Sequence, residues 1–486
     1  MKAFLGIDLG TTGCKAAVYS LDAKLISLQY LEIPLIKQSK QFIEQDSLQW
    51  WDLTQKAIRK AAFEADKQNY SIEGISISSQ GISFVPIDEK GNALRNAISW
   101  LDTRADHEIN EIMSIYTPED VFQITGKRLE PYYTLPKLLW LKSHEPDVFK
   151  RTYKYLFAHD FLFYKLTGFP ETDYTLAGGT LMLDLHSTGW WKQILDSLGI
   201  DQQQLPNLNW AGSKSYPLIE SVAKQVGLKS GIMVTVGCQD QKCAAFGAGL
   251  KDKVATVSLG TASAITVLSK TLKLDPGRQI PTFPYIYAGK YVYEGVLGTS
   301  GAALKWLRDT FFSSLEYEDL DRFASESNPG SNGVCFYPHL SGAASPHWKP
   351  TASGVFTGLH LAVNRGDIVR SVLEGIAYQI RTNLHTMEQF SNVDSLVLFG
   401  GGAKSLPWSN IICQVVNKPV ICSEIPEMAN WGACILASKG IDHSYEGVMQ
   451  DGTKEKIRII EPVSRQSEVY DALYHSYINT EHKILE

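Results

Sequence analysis

Two matching turns constrain the fold of this chain more than any other sequence feature. Each reads Leu-Gly-Thr and follows an apolar run, in "FLGIDLGTTGCKAAVYS" (residues 4–20) and in "KVATVSLGTASAITVLSK" (residues 253–270). A second apolar run follows each turn, which predicts an antiparallel hairpin. One such turn is uninformative. Two, each opening one half of the chain, predict a duplicated domain whose copies face each other across a cleft.

Length and composition agree with two large domains. The 486 residues are too many for one core, and 44% hydrophobic with 20% charged residues is ordinary for a globular protein. A net charge of -6 argues against sequence-independent nucleic-acid binding. Seven cysteines without a CxxC pair indicate reduced thiols in the cytoplasm and argue against structural zinc. No apolar run reaches the ~20 residues of a spanning helix, so we expect no membrane partner.

The first turn has the composition of a phosphate-binding loop. Its glycines leave backbone N–H groups accessible, its threonines add hydroxyl donors and Lys15 adds positive charge. Asp8 would repel phosphate unless a divalent cation lay between them, although it could simply stabilise its own turn. The spacing does not match GxxxxGK[ST], which excludes a P-loop. Two such hairpins, one per lobe, could hold a nucleoside triphosphate from both sides.

The remaining pattern predicts a mixed α/β protein. Apolar spacing predicts helices over 47–63, 136–142, 159–166 and 367–384, and alternation predicts a strand over 71–81. Residues 395–424 read as strand, Gly-rich turn, helix and strand. Gly400, Gly402 and Glu424 there imitate a dinucleotide-binding fingerprint, but Ser405 replaces the third glycine, so a dehydrogenase is disfavoured.

The order and spacing of nine motifs resemble the FGGY carbohydrate kinases of the actin-like ATPase superfamily. These motifs are GIDLGTTGCKA, WLDTRADHE, PKLLWLKSHEPDVF, VGCQDQKCAAFGAG, VSLGTASAI, GTSGAALKWLRD, SPHWKPTASGVFTGL, DIVRSVLEGIAYQIR and GGGAKSLPWSNI. The resemblance implies two actin-like (ribonuclease H-like) domains flanking a deep cleft. Residues 1–245 would bind sugar and residues 246–486 nucleotide, with a last helix near 467–483 packed on the first lobe.

The resemblance also implies transfer of the ATP γ-phosphate to a hydroxyl of a small sugar or polyol, assisted by Mg²⁺. Asp240 lies between an apolar strand and a small-residue helix, and the motif match makes it the catalytic base. The alternative is that Asp240 only caps the following helix. Asp8 matches the family's acid that holds Mg²⁺ through water, since Mg²⁺ takes few protein ligands.

Matching motif positions imply the binding residues. Those expected at the sugar are Gln80, Gly81, Trp100, Asp102, Arg104, Tyr132 and Gln241. Those expected at ATP are Gly10, Thr11, Thr12, Lys15, Gly260, Thr261, Gly301, Lys305, Gly401, Gly402, Ala403 and Ser405. Two of these have simpler alternatives, since Trp100 could belong to the core and Lys305 could be a solvated helix lysine.

The sugar itself is less defined than the reaction. Gly81 and Ile82 stand where xylulose kinases carry Met-His and glycerol kinases carry Arg-Glu, and "LSGAASPHWKP" lacks the Glu-Arg common in xylulose kinases. Xylulose is therefore a nominal expectation beside gluconate, ribulose, fuculose, glycerol or another polyol. A non-enzymatic actin-like ATPase is a third class, in which the motif match at Asp240 and Trp100 would have no purpose. A homodimer is one possible oligomeric state.

Overall fold

Two large sheets organise the protein, in a computed structural model that describes residues 1–454 and 456–486. The first sheet has six strands, in the order Ser215–Pro217, Met233–Gln239, Ser71–Ser79, Lys2–Leu9, Gly13–Ser20 and Leu25–Glu32. The second sheet has seven, in the order Thr282–Pro284, Tyr291–Leu297, Ser263–Ser269, Val254–Ser258, Ser395–Phe399, Val420–Ser423 and Ile457–Ile460. The two Leu-Gly-Thr turns lie in hairpins at the centres of these sheets, as predicted.

The two sheets share a core of five strands with the same order and directions. In each, the first hairpin strand pairs antiparallel with the second, which pairs antiparallel with a third. On its other side the first hairpin strand pairs parallel with a later strand, which pairs parallel with a fifth. This repetition confirms the duplicated architecture expected from the two turns.

Smaller sheets and helices surround these cores. A five-stranded sheet in the first half has the order Ile36–Lys37, Ile43–Gln45, Ala97–Ile98, Phe84–Ile87 and Lys154–Phe157. Two-stranded sheets join Glu171–Asp173 with Asn207–Asn209, Leu183–Asp184 with Gly189–Trp190, and Cys335–Tyr337 with Val355–Thr357. The helices of the first half are Ser47–Lys67, Ile109–Met113, Pro118–Thr125, Thr134–His144, Pro146–Arg151, Ala158–Thr167, Tyr174–Ala177, Lys192–Ser197, Glu220–Val226 and Asp240–Gly247. Those of the second half are Gly301–Phe311, Tyr317–Glu326, Arg365–Glu388, Leu406–Val416, Met428–Ile441, Ser444–Asp451 and Ser464–Leu485.

The predicted helices form where the apolar spacing placed them, with longer ends. The first begins after Asp46, whose side chain accepts a hydrogen bond from the Leu48 amide, and it extends to Lys67. The helix predicted from residue 367 begins two residues earlier, because Asn364 and Asp367 form a capping box. Capping side chains therefore fix the starts of these helices.

The expectation that the last helix packs on the first lobe is wrong. The C-terminal helix, Ser464–Leu485, lies on the second lobe, where Tyr470 accepts a hydrogen bond from Arg370 and Tyr477 accepts one from Gln379. Its tyrosines recur at helical spacing on one side, so it has a single apolar face to cover.

The helix that does return to the first lobe is Met428–Ile441, which we call the linking helix. It packs against Lys2–Leu9 and Ser71–Ser79 of the first sheet and against Asp240–Gly247. This helix is apolar on nearly all sides, with ten buried residues including Trp431 and Leu436. Other elements can therefore pack against it on two opposite sides.

A shared hydrophobic core joins the two lobes around this helix. Phe4, Tyr19 and Phe246 from the first half pack in one cluster with Trp431 and Val292 from the second. All seven cysteines, each among the described residues, are free thiols, as expected. In the part of the chain that the structure describes, no helix is long and apolar enough to cross a membrane.

Candidate active site

The first hairpin places a carboxylate opposite an amine at the base of its turn. Asp8 faces Lys15 across the two strands and accepts a hydrogen bond of 2.9 Å from Ser78 on the neighbouring parallel strand. Burial raises the pKa of Asp8, although Lys15 and Ser78 oppose that shift. Lys15 Nζ also lies 2.6 Å from Glu427 Oε2, at the start of the linking helix. The sequence did not predict the Glu427 contact, because the two residues are remote in the chain.

Asp240 lies where a strand of the first sheet meets the helix Asp240–Gly247, which we call the base helix. The side chain of Gln239 caps this helix, so the simpler interpretation of Asp240 as its N-cap is wrong. Asp240 Oδ1 accepts a hydrogen bond of 2.7 Å from the Gln241 amide and another from the Gln239 side chain. Burial, followed by the negative charge of Asp8, raises the pKa of Asp240 to about 7. A carboxylate with this pKa can accept a proton near neutral pH.

The cleft between the lobes brings residues of both hairpins together. A cavity of about 810 Å³ is lined by Asp8, Lys15, Asp240 and Gln241 from the first half and by residues of the second. A neighbouring cavity of about 770 Å³ is lined by residues of the second lobe alone. Eight predicted nucleotide residues line one or both, namely Gly260, Thr261, Gly301, Lys305, Gly401, Gly402, Ala403 and Ser405. The two cavities share lining residues and together are large enough for a nucleotide.

Close backbone approach explains two of the glycines in this cleft. A Cβ on Gly301 would lie 2.5 Å from the carbonyl oxygen of Gly260, to which the Gly301 amide donates a hydrogen bond of 2.8 Å. A Cβ on Gly402 would lie 2.6 Å from the ring of Trp408. A larger residue at position 301 would therefore push its helix away from the second hairpin, and one at position 402 would push the Gly-rich turn away from Trp408.

Two of the polar residues predicted to bind the nucleotide also contact other side chains of the protein. Ser405 caps the helix Leu406–Val416 and donates a hydrogen bond of 2.7 Å to Asp321. Lys305 pairs with Asp309 one turn along its helix, yet it also lines the second cavity. The solvated-lysine alternative therefore remains compatible with its geometry.

Part of the predicted sugar site connects directly to the first hairpin. Trp100 is 39% exposed, so it is not a core residue, and its indole N–H donates a hydrogen bond of 2.8 Å to Thr11 Oγ1. Gln80 is buried and donates to Gln45, whose own amide donates to the Thr11 carbonyl at 2.7 Å. Thr12 contributes its carbonyl oxygen to the Ile33 amide rather than to the cleft. Gln45 was missed because nothing in its local sequence marks it.

Other predicted sugar residues are buried in the first lobe. Arg104 holds Asp102 through two hydrogen bonds, of 2.9 and 2.8 Å, and also bonds Glu44. Both members of this ion pair are almost fully buried, so contact with substrate stays a prediction for them. Tyr132 packs on Tyr133, and burial raises its pKa to about 12. Gly81 lies against the Gln239 side chain, where a Cβ would approach to 3.2 Å.

Besides Glu427, three cleft residues outside the predicted set carry charge. Lys404, Glu424 and Arg458 line the same cavity as Asp8 and Asp240. Lys404 was detectable, because it lies inside the Gly-rich turn whose neighbours were predicted. Arg458 comes from the edge strand Ile457–Ile460, and its sequence context gives no signal. Within residues 1–454 and 456–486, no cluster of three or more His, Cys, Asp or Glu side chains could hold a metal.

Fold and cleft together define a two-lobed nucleotide-dependent phosphotransferase. The chain belongs to the FGGY family of carbohydrate kinases, since the family's N-terminal domain matches residues 3–247 and its C-terminal domain matches residues 255–441. It is an ATP-dependent sugar kinase.

Relatives with different substrates cover almost the whole chain. The xylulose kinase of Staphylococcus epidermidis (strain ATCC 12228 / FDA PCI 1200) is 30% identical over 98% of this chain and 96% of that protein. The gluconokinase of Bacillus subtilis (strain 168) is 27% identical over 89% of this chain and 86% of that protein. The crystal structure of xylulose kinase from Rhodospirillum rubrum superposes with a TM-score of 0.89 at 25% identity, covering 99% of both chains.

Proposed function

We propose that this kinase phosphorylates a hydroxyl of a ketose such as xylulose, with Asp240 as the general base. The observation that carries the proposal is the placement of Asp240, with a pKa raised to about 7, in a cavity lined by both hairpins. In the reaction the sugar oxygen bonds to the γ-phosphorus and the bond from that phosphorus to the ADP oxygen breaks. The hydroxyl proton passes to an oxygen of the Asp240 carboxylate.

The remaining cleft residues would bind and orient ATP. Lys15 from the first hairpin and Gly260 and Thr261 from the second line the cavity and would hold the phosphates from opposite lobes. Thr11, in the turn of the first hairpin, would add a hydroxyl donor. Gly401 and its neighbours would lie against the adenosine. Lys15 is suited to phosphate, because burial lowers its pKa but the hydrogen bond and the charge of Glu427, with the charge of Asp8, together more than offset burial and keep the pKa above its ordinary value.

Asp8 fits a magnesium ion held largely by water. Its carboxylate lines the cavity with a single side-chain hydrogen-bond donor, Ser78, and lies near the negative charge of Asp240. A cation there would relieve the repulsion between the two carboxylates, and one protein ligand is enough for Mg²⁺. When bound, Mg²⁺ would neutralise phosphate charge. We also place the enzyme in the cytoplasm, as free thiols favour, with a homodimer still one possible assembly.

A substrate panel tests the proposal most directly. Release of ADP would be measured with ketoses, aldoses, polyols and aldonates, each with and without Mg²⁺. We expect the highest kcat/KM with a ketopentose. Higher kcat/KM with gluconate or a polyol would keep the kinase mechanism and overturn the ketose assignment. If ADP is released as fast without any sugar as with every sugar tested, the proposed phosphoryl transfer is contradicted.

A further inference from the structure

A buried ion pair ties the base helix to the second sheet. Lys242 Nζ lies 2.8 Å from Glu294 Oε2, and the Lys242 side chain is 1% exposed. Lys242 follows Asp240 by two residues in the base helix, whereas Glu294 lies in the strand Tyr291–Leu297. The pair therefore joins the helix that carries Asp240 to the opposite lobe.

An aromatic ring and a second lysine complete this contact. The ring centroid of Phe283 lies 3.5 Å from Lys242 Nζ and 3.7 Å from Lys127 Nζ. Lys127 is fully buried and donates hydrogen bonds to the carbonyl oxygens of Thr125 and Thr282. Burial, and then the charge of Lys242, lower the pKa of Lys127 well below its usual value. Lys242 is the lysine that forms the ion pair with Glu294.

We propose that Lys242 and Glu294 are positioning residues that hold Asp240 in its reactive place against the second lobe. The inference rests on the proposed role of Asp240. Apolar contact alone would let the base helix slide along the sheet, whereas an ion pair with a 2.8 Å hydrogen bond fixes one direction and one distance. Removing either partner leaves an uncompensated buried charge, which disrupts such a contact strongly.

The two halves of the pair act on Asp240 in opposite senses. Lys242 lowers the pKa of Asp240 and Glu294 raises it, after the larger effects of burial and Asp8. The titratable groups around Asp240 come from every neighbouring element. They are Asp8 and Lys15 of the first hairpin, Cys238 of the preceding strand, Lys242 of the base helix, Glu294 of the second sheet, and Glu427 before the linking helix. While the pair stays beside Asp240, removing Lys242 and removing Glu294 should therefore shift the pKa of Asp240 in opposite directions, and the effect on kcat reports the loss of the contact.

The test titrates Asp240 directly in the full chain, without nucleotide or metal. Aspartate labelled with ¹³C at the carboxyl carbon gives the signals, and D240N identifies the one from Asp240. We expect the pKa of Asp240 to rise in K242M and fall in E294Q. K224M serves as the control, because Lys224 forms an exposed ion pair with Glu220 on the same lobe, and it should change nothing.

Turnover of the best sugar of the panel gives the second measurement. We expect kcat to fall about 10- to 100-fold in K242M and E294Q, as a misplaced base would cause, with little change in the KM for ATP. K242R retains the charge and should keep most of the activity. In the double variant K242M/E294Q the pKa of Asp240 should return toward the wild-type value, because both charges are removed. Its kcat should stay low, because the ion pair is lost, so the double variant separates the effect of charge from the effect of the contact.

Several outcomes would overturn the positioning role. Shifts of both single variants in the same direction, or wild-type kcat in both, would exclude it. If K242M does not fold, E294Q alone decides, because Gln matches Glu in size. Full activity of D240N would instead overturn the proposed function. An inactive D240N beside fully active K242M and E294Q would overturn only the positioning of the base.

Discussion

At the scale of single residues, the chemistry depends on two carboxylates kept in one cavity. Asp8 and Asp240 lie at the ends of two strands of the first sheet that flank Ser71–Ser79, and each has its pKa raised mainly by burial. Asp240 also feels the charge of Asp8, so the free enzyme holds its candidate base ready to take a proton near pH 7. The local motifs were enough to place both carboxylates at strand ends, because a strand followed by a turn or a helix fixes where such side chains lie, whereas their roles stay predictions.

Replacing Asp240 with Asn should remove the proton acceptor and little else. The amide keeps the size of the carboxylate, so ATP binding should remain nearly intact while kcat falls by about 10²-fold or more. Steady-state kinetics and calorimetric titration with ATP would measure the two effects. Wild-type kcat in D240N would remove Asp240 from the mechanism.

Replacing Asp8 with Ala should change the metal requirement. With this carboxylate lost, we expect more Mg²⁺ for half-maximal rate and a lower kcat at saturation. Rates measured across a Mg²⁺ series at fixed ATP give both values, and S78A is a matched control that removes the hydrogen bond to Asp8 but keeps its charge. A Mg²⁺ series in D8A that superposes on that of the wild type would contradict the metal role.

At the scale of elements, the linking helix holds the molecule together. Gly432 is packed so closely that a Cβ there would lie 2.0 Å from the carbonyl oxygen of Cys243 in the base helix. The two hairpins and the four helices predicted from apolar spacing form as expected, because that spacing is local. It misplaced the C-terminal helix because the surface that covers an apolar face depends on distant residues. Glu294 and Glu427 were missed for the same reason.

The close contact at Gly432 makes a quantitative prediction. Gly432→Ala should force the linking and base helices apart and destabilise the protein by about 1–3 kcal/mol, as overpacking does. Thermal unfolding monitored by circular dichroism would show a lowered Tm. Gly447→Ala is the matched control, since this helical glycine has open space around its Cβ position and should leave Tm unchanged or slightly raised. Equal Tm values for the two variants would contradict the tight packing.

At the scale of the whole molecule, the cleft suggests a hinge. The predicted sugar residues lie on the first lobe and most of the predicted ATP residues lie on the second, so we expect a complete site to require the lobes to approach. Binding energy from the sugar would then exclude water before the γ-phosphate reacts, which limits futile hydrolysis.

Small-angle scattering measures that closure. The radius of gyration should fall when the verified sugar and a non-hydrolysable ATP analogue are both saturating, and less with either ligand alone. The D240N variant offers a useful parallel sample, because it should close without reacting. An unchanged radius with both ligands bound would show that the cleft is already formed.

The position of the linking helix has a consequence for biosynthesis. During translation the strands of the first sheet leave the ribosome early, but the helix that covers one of their faces is made near the end of the chain. Until then the nascent first lobe presents an uncovered apolar surface, the kind of surface that chaperones bind and that promotes aggregation. Expression of residues 1–247 alone should therefore give an insoluble product, and co-expression of a fragment containing Met428–Ile441 should improve its recovery.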